Sequence, residues 1–187
     1  MAESYPSVAG GQRITGTLLR SMLPQVVRKT ADTSRAATTT RTADPHLTFE
    51  VEANAVYVLD GWLKYDGPIA ADLNLDWTVP SGSLGEWTGF GAGVGTVIST
   101  NTTPTLTSDT QSSRGYLIRT ETNDIDAARS FGCLGTVGLT PLTVMLNGTI
   151  RVGSTPGTYS MDWAQLVSDA TAVTLYTDSW LRLQRIA

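Results

Sequence analysis

Few residue types in this chain could do chemistry, and they are scattered. Asp72-Leu-Asn-Leu-Asp76 reads D-x-N-x-D, the opening of a calcium loop, but the loop needs Gly at its sixth position and Glu at its twelfth. Those positions hold Trp77 and Ser83. Leu73 and Leu75 also alternate with the polar residues, so the expectation is a solvated strand face rather than a cation site. Gly89-Phe-Gly-Ala-Gly-Val-Gly95 fits neither G-x-G-x-x-G nor the Walker spacing with Lys, and no helical pattern follows it. It reads as a closely packed or flexible glycine strand. A Ser-His-Asp triad would have to use His46, the one His, and the chain has no G-x-S-x-G elbow. Cys133, the one Cys, excludes an internal disulfide and reads as a small buried hydrophobe. One His with one Cys cannot build an ordinary zinc site. Carboxylates alone would suffice for a glycosidase, and five Trp with six Tyr suit a sugar-stacking platform. Trp77 and Trp163 fall on inward strand faces. Trp62, opposite Leu59 and Leu63, and Trp87, between Glu86 and Thr88, are the expected surface contacts. The expectation is a protein with no catalytic residues, no metal and no cofactor.

The elements that carry these residues are strands. Gly (18), Pro (8) and Thr (29) are abundant, and charged residues make up only 16% of the 187 positions, against about 25% in an average globular chain. Thr suits a pleated surface, and Gly and Pro punctuate turns. From residue 46 the period is two. Leu47, Phe49 and Val51 share a face, as do Ala55, Tyr57, Leu59, Gly61, Leu63 and Tyr65. The same alternation runs through Ile69–Val79, Leu142–Val152 and Tyr159–Trp163. Asp44-Pro45, Asp66-Gly67-Pro68 and Ser154-Thr-Pro-Gly157 read as turns, and the polar stretch 98–113 as a long surface loop. About eight strands with hairpin-like turns predict an all-β, antiparallel β-sandwich or jelly roll over residues 42–187.

Residues 1–41 differ. They carry a formal +4, against −8 for the rest. Ile14, Leu18, Leu19, Met22 and Leu23 recur at helical spacing, Thr15 or Thr17 can cap the start and Pro24 stops it. A helix of about two turns is not stable alone in water, so its apolar stripe must dock. The expectation is an extended basic arm with one short helix, whose stripe anchors on a partner while Arg13 and Arg20 meet an acidic surface. Nucleic acid is not the expected partner: the positive charge is sparse, no aromatic interleaves after Tyr5, and an acidic body opposes phosphate. No apolar run reaches the roughly 18 residues of a membrane span, and the first thirty residues lack a secretory apolar core. Synthesis and assembly in the cytoplasm are therefore expected.

Several phrases together resemble small virion structural proteins of tailed phages infecting actinobacteria. They are Gly10-Gly-Gln-Arg-Ile-Thr-Gly-Thr-Leu-Leu-Arg20, Arg28-Lys-Thr-Ala-Asp-Thr-Ser-Arg35, Leu47–Tyr57 with Val51-Glu-Ala-Asn54, Trp163-Ala-Gln165, Ser168-Asp-Ala170 and Ser179-Trp-Leu-Arg-Leu183. The resemblance spans nearly the whole chain and carries no catalytic signature. It implies a β-rich, non-enzymatic particle component that forms a homotrimer and decorates the capsid, binding the major capsid protein, or belongs to the tail. A host-surface glycan is a further partner to consider.

Overall fold

A computed structural model describes residues 6, 9–94, 96–98, 104–106, 118–119, 122–133 and 141–187. Among these residues fifteen strands and one short helix follow in order: α1 (Gly16–Ser21), β1 (Gln25–Arg28), β2 (Thr33–Arg35), β3 (Thr42–Val51), β4 (Val56–Asp66), β5 (Leu73–Thr78), β6 (Leu84–Ala92), β7 (Thr96–Ile98), β8 (Pro104–Leu106), β9 (Ile118–Arg119), β10 (Asn123–Asp124), β11 (Arg129–Phe131), β12 (Leu142–Arg151), β13 (Gly157–Gln165), β14 (Val173–Leu175) and β15 (Trp180–Arg185). The expected all-β sandwich with one short N-terminal helix is what the chain forms.

The large sheet runs β1-β15-β4-β12-β6-β10, with β14 on β4, β2 on β14 and β9 on β6. The small sheet runs β11-β5-β13-β3, and β7 pairs β8 apart from both. Every pairing is antiparallel. The two sheets bury the period-two residues between them, including Leu47, Phe49, Tyr57, Leu59, Leu63, Val144, Leu146, Ile150, Tyr159 and Trp163. At the centre, Trp77 stacks on Tyr159 (centroids 4.9 Å apart, planes 11° apart) and meets the Trp87 ring edge-on at 5.8 Å.

The glycine stretch is closely packed, as one of its two expected forms. Gly89 and Gly91 face inward beneath Phe131, and a Cβ at Gly89 would stand 2.3 Å from Phe131 Cζ. Only a residue without a side chain lets that ring lie flat on β6.

Three expectations change. Asp44-Pro45 is not a turn: β3 runs through it, with a register irregularity opposite Ser160 and Asp162. Proline is tolerated there because β3 is an edge strand and the missing N–H interrupts no ladder. The strand read over 69–79 begins only at Leu73, after a turn in which Ala71 and Asp72 donate their backbone N–H groups to the Pro68 carbonyl. The division at residue 41 runs through hydrogen-bonded sheet, since β1 pairs β15 along Gln25–Arg28 and β2 pairs β14 along Thr33–Arg35. Residues 25–41 belong to the sandwich, and the described residues before Pro24 add no strand to it. The reading of 98–113 as a surface loop falls largely outside the described residues, although Pro104–Leu106 within it pairs Thr96–Ile98.

Candidate functional site

The basic residues of the front segment divide into two groups. Lys29 and Asp44 are both completely buried, with Lys29 Nζ 2.7 Å from Asp44 Oδ2. The ammonium also donates to Thr33 Oγ1 at 2.8 Å, and Asp44 Oδ2 accepts from Trp163 Nε1 at 3.1 Å. Asp44 Oδ1 accepts the His46 backbone N–H at 3.0 Å. Arg35 lies over the Trp163 ring, 4.2 Å from its centroid, and donates to the carbonyls of Thr42 (2.8 Å), Ala43 (3.0 Å) and Trp163. Arg28 pairs with Asp178 and Arg41 with Asp76. Four of the six cations of residues 1–41 are thus committed to this chain's own body, and Arg13 and Arg20, the two expected to meet an acidic partner, are not among them. The cluster ties β1 and β2 to β3 and β13, and the Lys29, Asp44 and Arg35 side chains in it are all engaged, while His46 Nδ1 is buried without a hydrogen-bond partner among the described residues. Nothing in it is poised for reaction, and His46 Nδ1 lies 3.8 Å from Asp44 Oδ1.

The other group is Arg13 and Arg20, exposed and without an ion pair among the described residues. Arg13 precedes α1 and Arg20 lies in its last turn; the helix start is capped by Thr15, whose Oγ1 accepts the Leu18 N–H at 3.2 Å. Helix α1 contributes no buried residue to the fold. Ile14 (68% exposed), Leu19 (53%), Met22 (41%) and Leu23 (66%) open to solvent, and Leu18 is half-buried. The five apolar residues of the expected stripe are brought together with both arginines, and the stripe stays uncovered.

Trp87 corrects the sequence reading: it is 1% exposed and lies in the core. In a period-two strand, polar neighbours put the residue between them on the opposite face, so Glu86 and Thr88 turn Trp87 inward. Trp62 does lie on the outer face of the large sheet, partly exposed. There the register builds a row no single stretch of sequence contains: Trp180 on β15, Trp62 on β4, Met145 on β12 and Phe90 on β6 stand directly opposite one another. Met145 and Phe90 are about half exposed and Trp180, like Trp62, partly so. Two residues along, the next outward row is polar: Arg182, Asp60, Asn147 and Thr88. Arg182 Nε donates to Asp60 Oδ1 at 2.8 Å. Two depressions adjoin here and share Asn147, one of about 340 Å³ beside Trp62 and Trp180, the other of about 310 Å³ beside Val58, Thr88 and Thr149. Thr88 Oγ1 is buried without a hydrogen-bond partner among the described residues. The signal for Met145 and Phe90 was present in the strand alternation, but their alignment depends on pairings across the fold.

The remaining candidates sit apart. Asp72 and Asn74 are buried rather than solvated, and only Asp76 is partly open. The Asp72 carboxylate accepts the Cys133 N–H at 2.8 Å, and burial raises its pKa to about 6 against that hydrogen bond. Cys133 is buried, and burial, with Asp72 and Asp66 nearby, pushes its thiol far up, away from the reactive thiolate. No group of three or more His, Cys, Asp or Glu among the described residues could hold a metal ion, and no described helix is long and apolar enough to cross a membrane. No protein-family model, curated protein or solved structure matches the chain.

Proposed function

We propose that this chain is a non-enzymatic virion structural protein of a tailed phage, a homotrimeric capsid decoration (minor capsid) protein held to the shell by residues 13–23. The observation that carries the reading is the uncovered stripe: a capped two-turn helix with Ile14, Leu19, Met22 and Leu23 open to solvent beside two arginines that have no ion pair among the described residues. Burying large apolar side chains contributes about 1.5–3 kcal/mol each before ordering costs. Exposed ion pairs contribute about 0–1 kcal/mol. The stripe therefore supplies the anchoring energy, and Arg13 and Arg20 set register and encounter rate. The resemblance of the sequence to phage virion proteins supplies the setting, and a sandwich body with its polar groups tied internally suits a passive covering.

Native mass measurement of the purified chain tests the assembly. A species at three times 19.9 kDa is expected, and a monomer at micromolar concentration would count against the decoration reading. A tail-associated role is the second reading, favoured by the outward aromatic row.

A further inference from the structure

We infer that the outer face of the large sheet is a saccharide-binding groove that takes a neutral oligosaccharide on the indoles of Trp62 and Trp180. This inference is independent of the anchoring segment, which lies outside the groove.

The two indoles are direct cross-strand neighbours on β4 and β15. Met145 and Phe90 extend their row over β12 and β6, three interstrand steps of about 4.8 Å each, or roughly 14 Å in all. That is longer than one sugar ring. Aromatic faces present large apolar area with little entropy to lose on binding, which suits the C–H face of a pyranose. Solvent exposure of such a row has a cost, and Met145 and Phe90 remain about half exposed among the described residues.

A sugar also needs hydrogen bonds at its edge. The polar row stands two residues along each strand, about 6.8 Å from the aromatic row, within reach of the hydroxyls of a ring stacked on the indoles. Asn147, exposed at the junction of the two depressions, offers a donor and an acceptor.

Charge selects the class of ligand. Asp60 and Arg182 neutralise each other within the polar row. Glu86, on the next row, is exposed, and Lys64, two residues from Trp62 on β4, is partly so, and these opposite charges leave the face with no net charge to attract an anionic glycan or a phosphate backbone. A neutral ligand matches that surface. A second protein would need a charge-depleted apolar patch at the centre of its contact, and here the row beside the aromatics is wholly polar. The strands are interior members of a nine-stranded sheet, so the platform is formed before binding and little ordering is required.

The test is titration of the full chain with maltohexaose, cellohexaose, xylohexaose and chitohexaose, with hexagalacturonate as the anionic control, followed by tryptophan fluorescence and calorimetry. At least one neutral hexasaccharide should bind and the anionic one should not. Trp62→Ala and Trp180→Ala should each weaken binding about tenfold, the size of one lost stacking contact in an affinity ratio. Trp62→Phe should retain most of it. Met145→Glu changes an exposed side chain, so it leaves the fold intact while placing a carboxylate in the row, and should also weaken binding. Leu19→Asp should bind as the parent does. The inference is overturned if no neutral hexasaccharide binds, or if the alanine variants and Met145→Glu bind unchanged. It is equally overturned if those variants reduce the native mass, since the face would then be a contact between copies.

Discussion

Residues 13–23 and 25–41 share a composition of basic and small polar residues with a few aliphatics, yet they end in opposite conditions. The second segment is stitched into the sandwich, with β1 and β2 on the large sheet, Lys29 sealed against Asp44 and Arg35 laid over Trp163. The first keeps Ile14, Leu19, Met22 and Leu23 in solvent, and its arginines have no ion pair among the described residues. The difference teaches that a charge asymmetry along a chain does not by itself point outward. Most of the front segment's positive charge answers carboxylates and carbonyls of its own body. What points outward is the segment whose hydrophobic residues found no cover.

The largest effect expected from breaking this contrast is at Lys29. Removing one member of a buried ion pair strands the other charge, at a cost of about 3–5 kcal/mol. Lys29→Met should therefore lower unfolding free energy by that amount in urea denaturation. Adding Asp44→Asn to it should recover part of the loss, because the stranded carboxylate is gone. A loss below about 1 kcal/mol for Lys29→Met would place residues 25–41 among surface substitutions and erase the contrast.

Much of the sandwich was legible in its alternation. Leu47, Phe49 and Val51, and the set from Ala55 to Tyr65, are buried as period two requires. The internal partnering was not legible, for physical reasons. Nothing local to Lys29 says that a lysine will be sealed from water, because its partner lies fifteen residues on and Trp163 on another strand entirely. Asp44-Pro45 carries a turn signature, and only its place on a sheet edge overrides it. The outward row from Trp180 to Phe90 exists only once four strands take their register. Trp87 was a different matter: Glu86 and Thr88 on either side signal a buried residue under period two, and the inward Gly89 and Gly91 confirm the face.

A smaller effect sharpens the comparison between two buried carboxylates. Asp44 has a cation. Asp72 has one backbone N–H donor and no ion pair among the described residues. Burial raises the Asp72 pKa from 3.8 to about 6, so the folded state binds the proton more tightly than the unfolded chain does. Its contribution to stability is therefore present below about pH 4 and is lost as pH rises through about 6. Asp72→Asn keeps an acceptor for the Cys133 N–H and suits the positive φ of 53° at this position. It should raise stability at pH 7 by about 1–2 kcal/mol, less than the full shift implies because solvent still screens the group, and flatten the pH profile between 4 and 6. An unchanged profile would show that Asp72 is not the group responsible.

The most direct test of the central claim is incorporation of the Leu19→Asp variant into particles, measured beside its thermal melt. Leu19 touches no core, so the melt should match the parent to within the change of about 0.5 kcal/mol usual for surface substitutions. The variant should nevertheless be absent from purified particles. A variant that incorporates normally, or one that fails only because its sandwich has unfolded, would contradict the account.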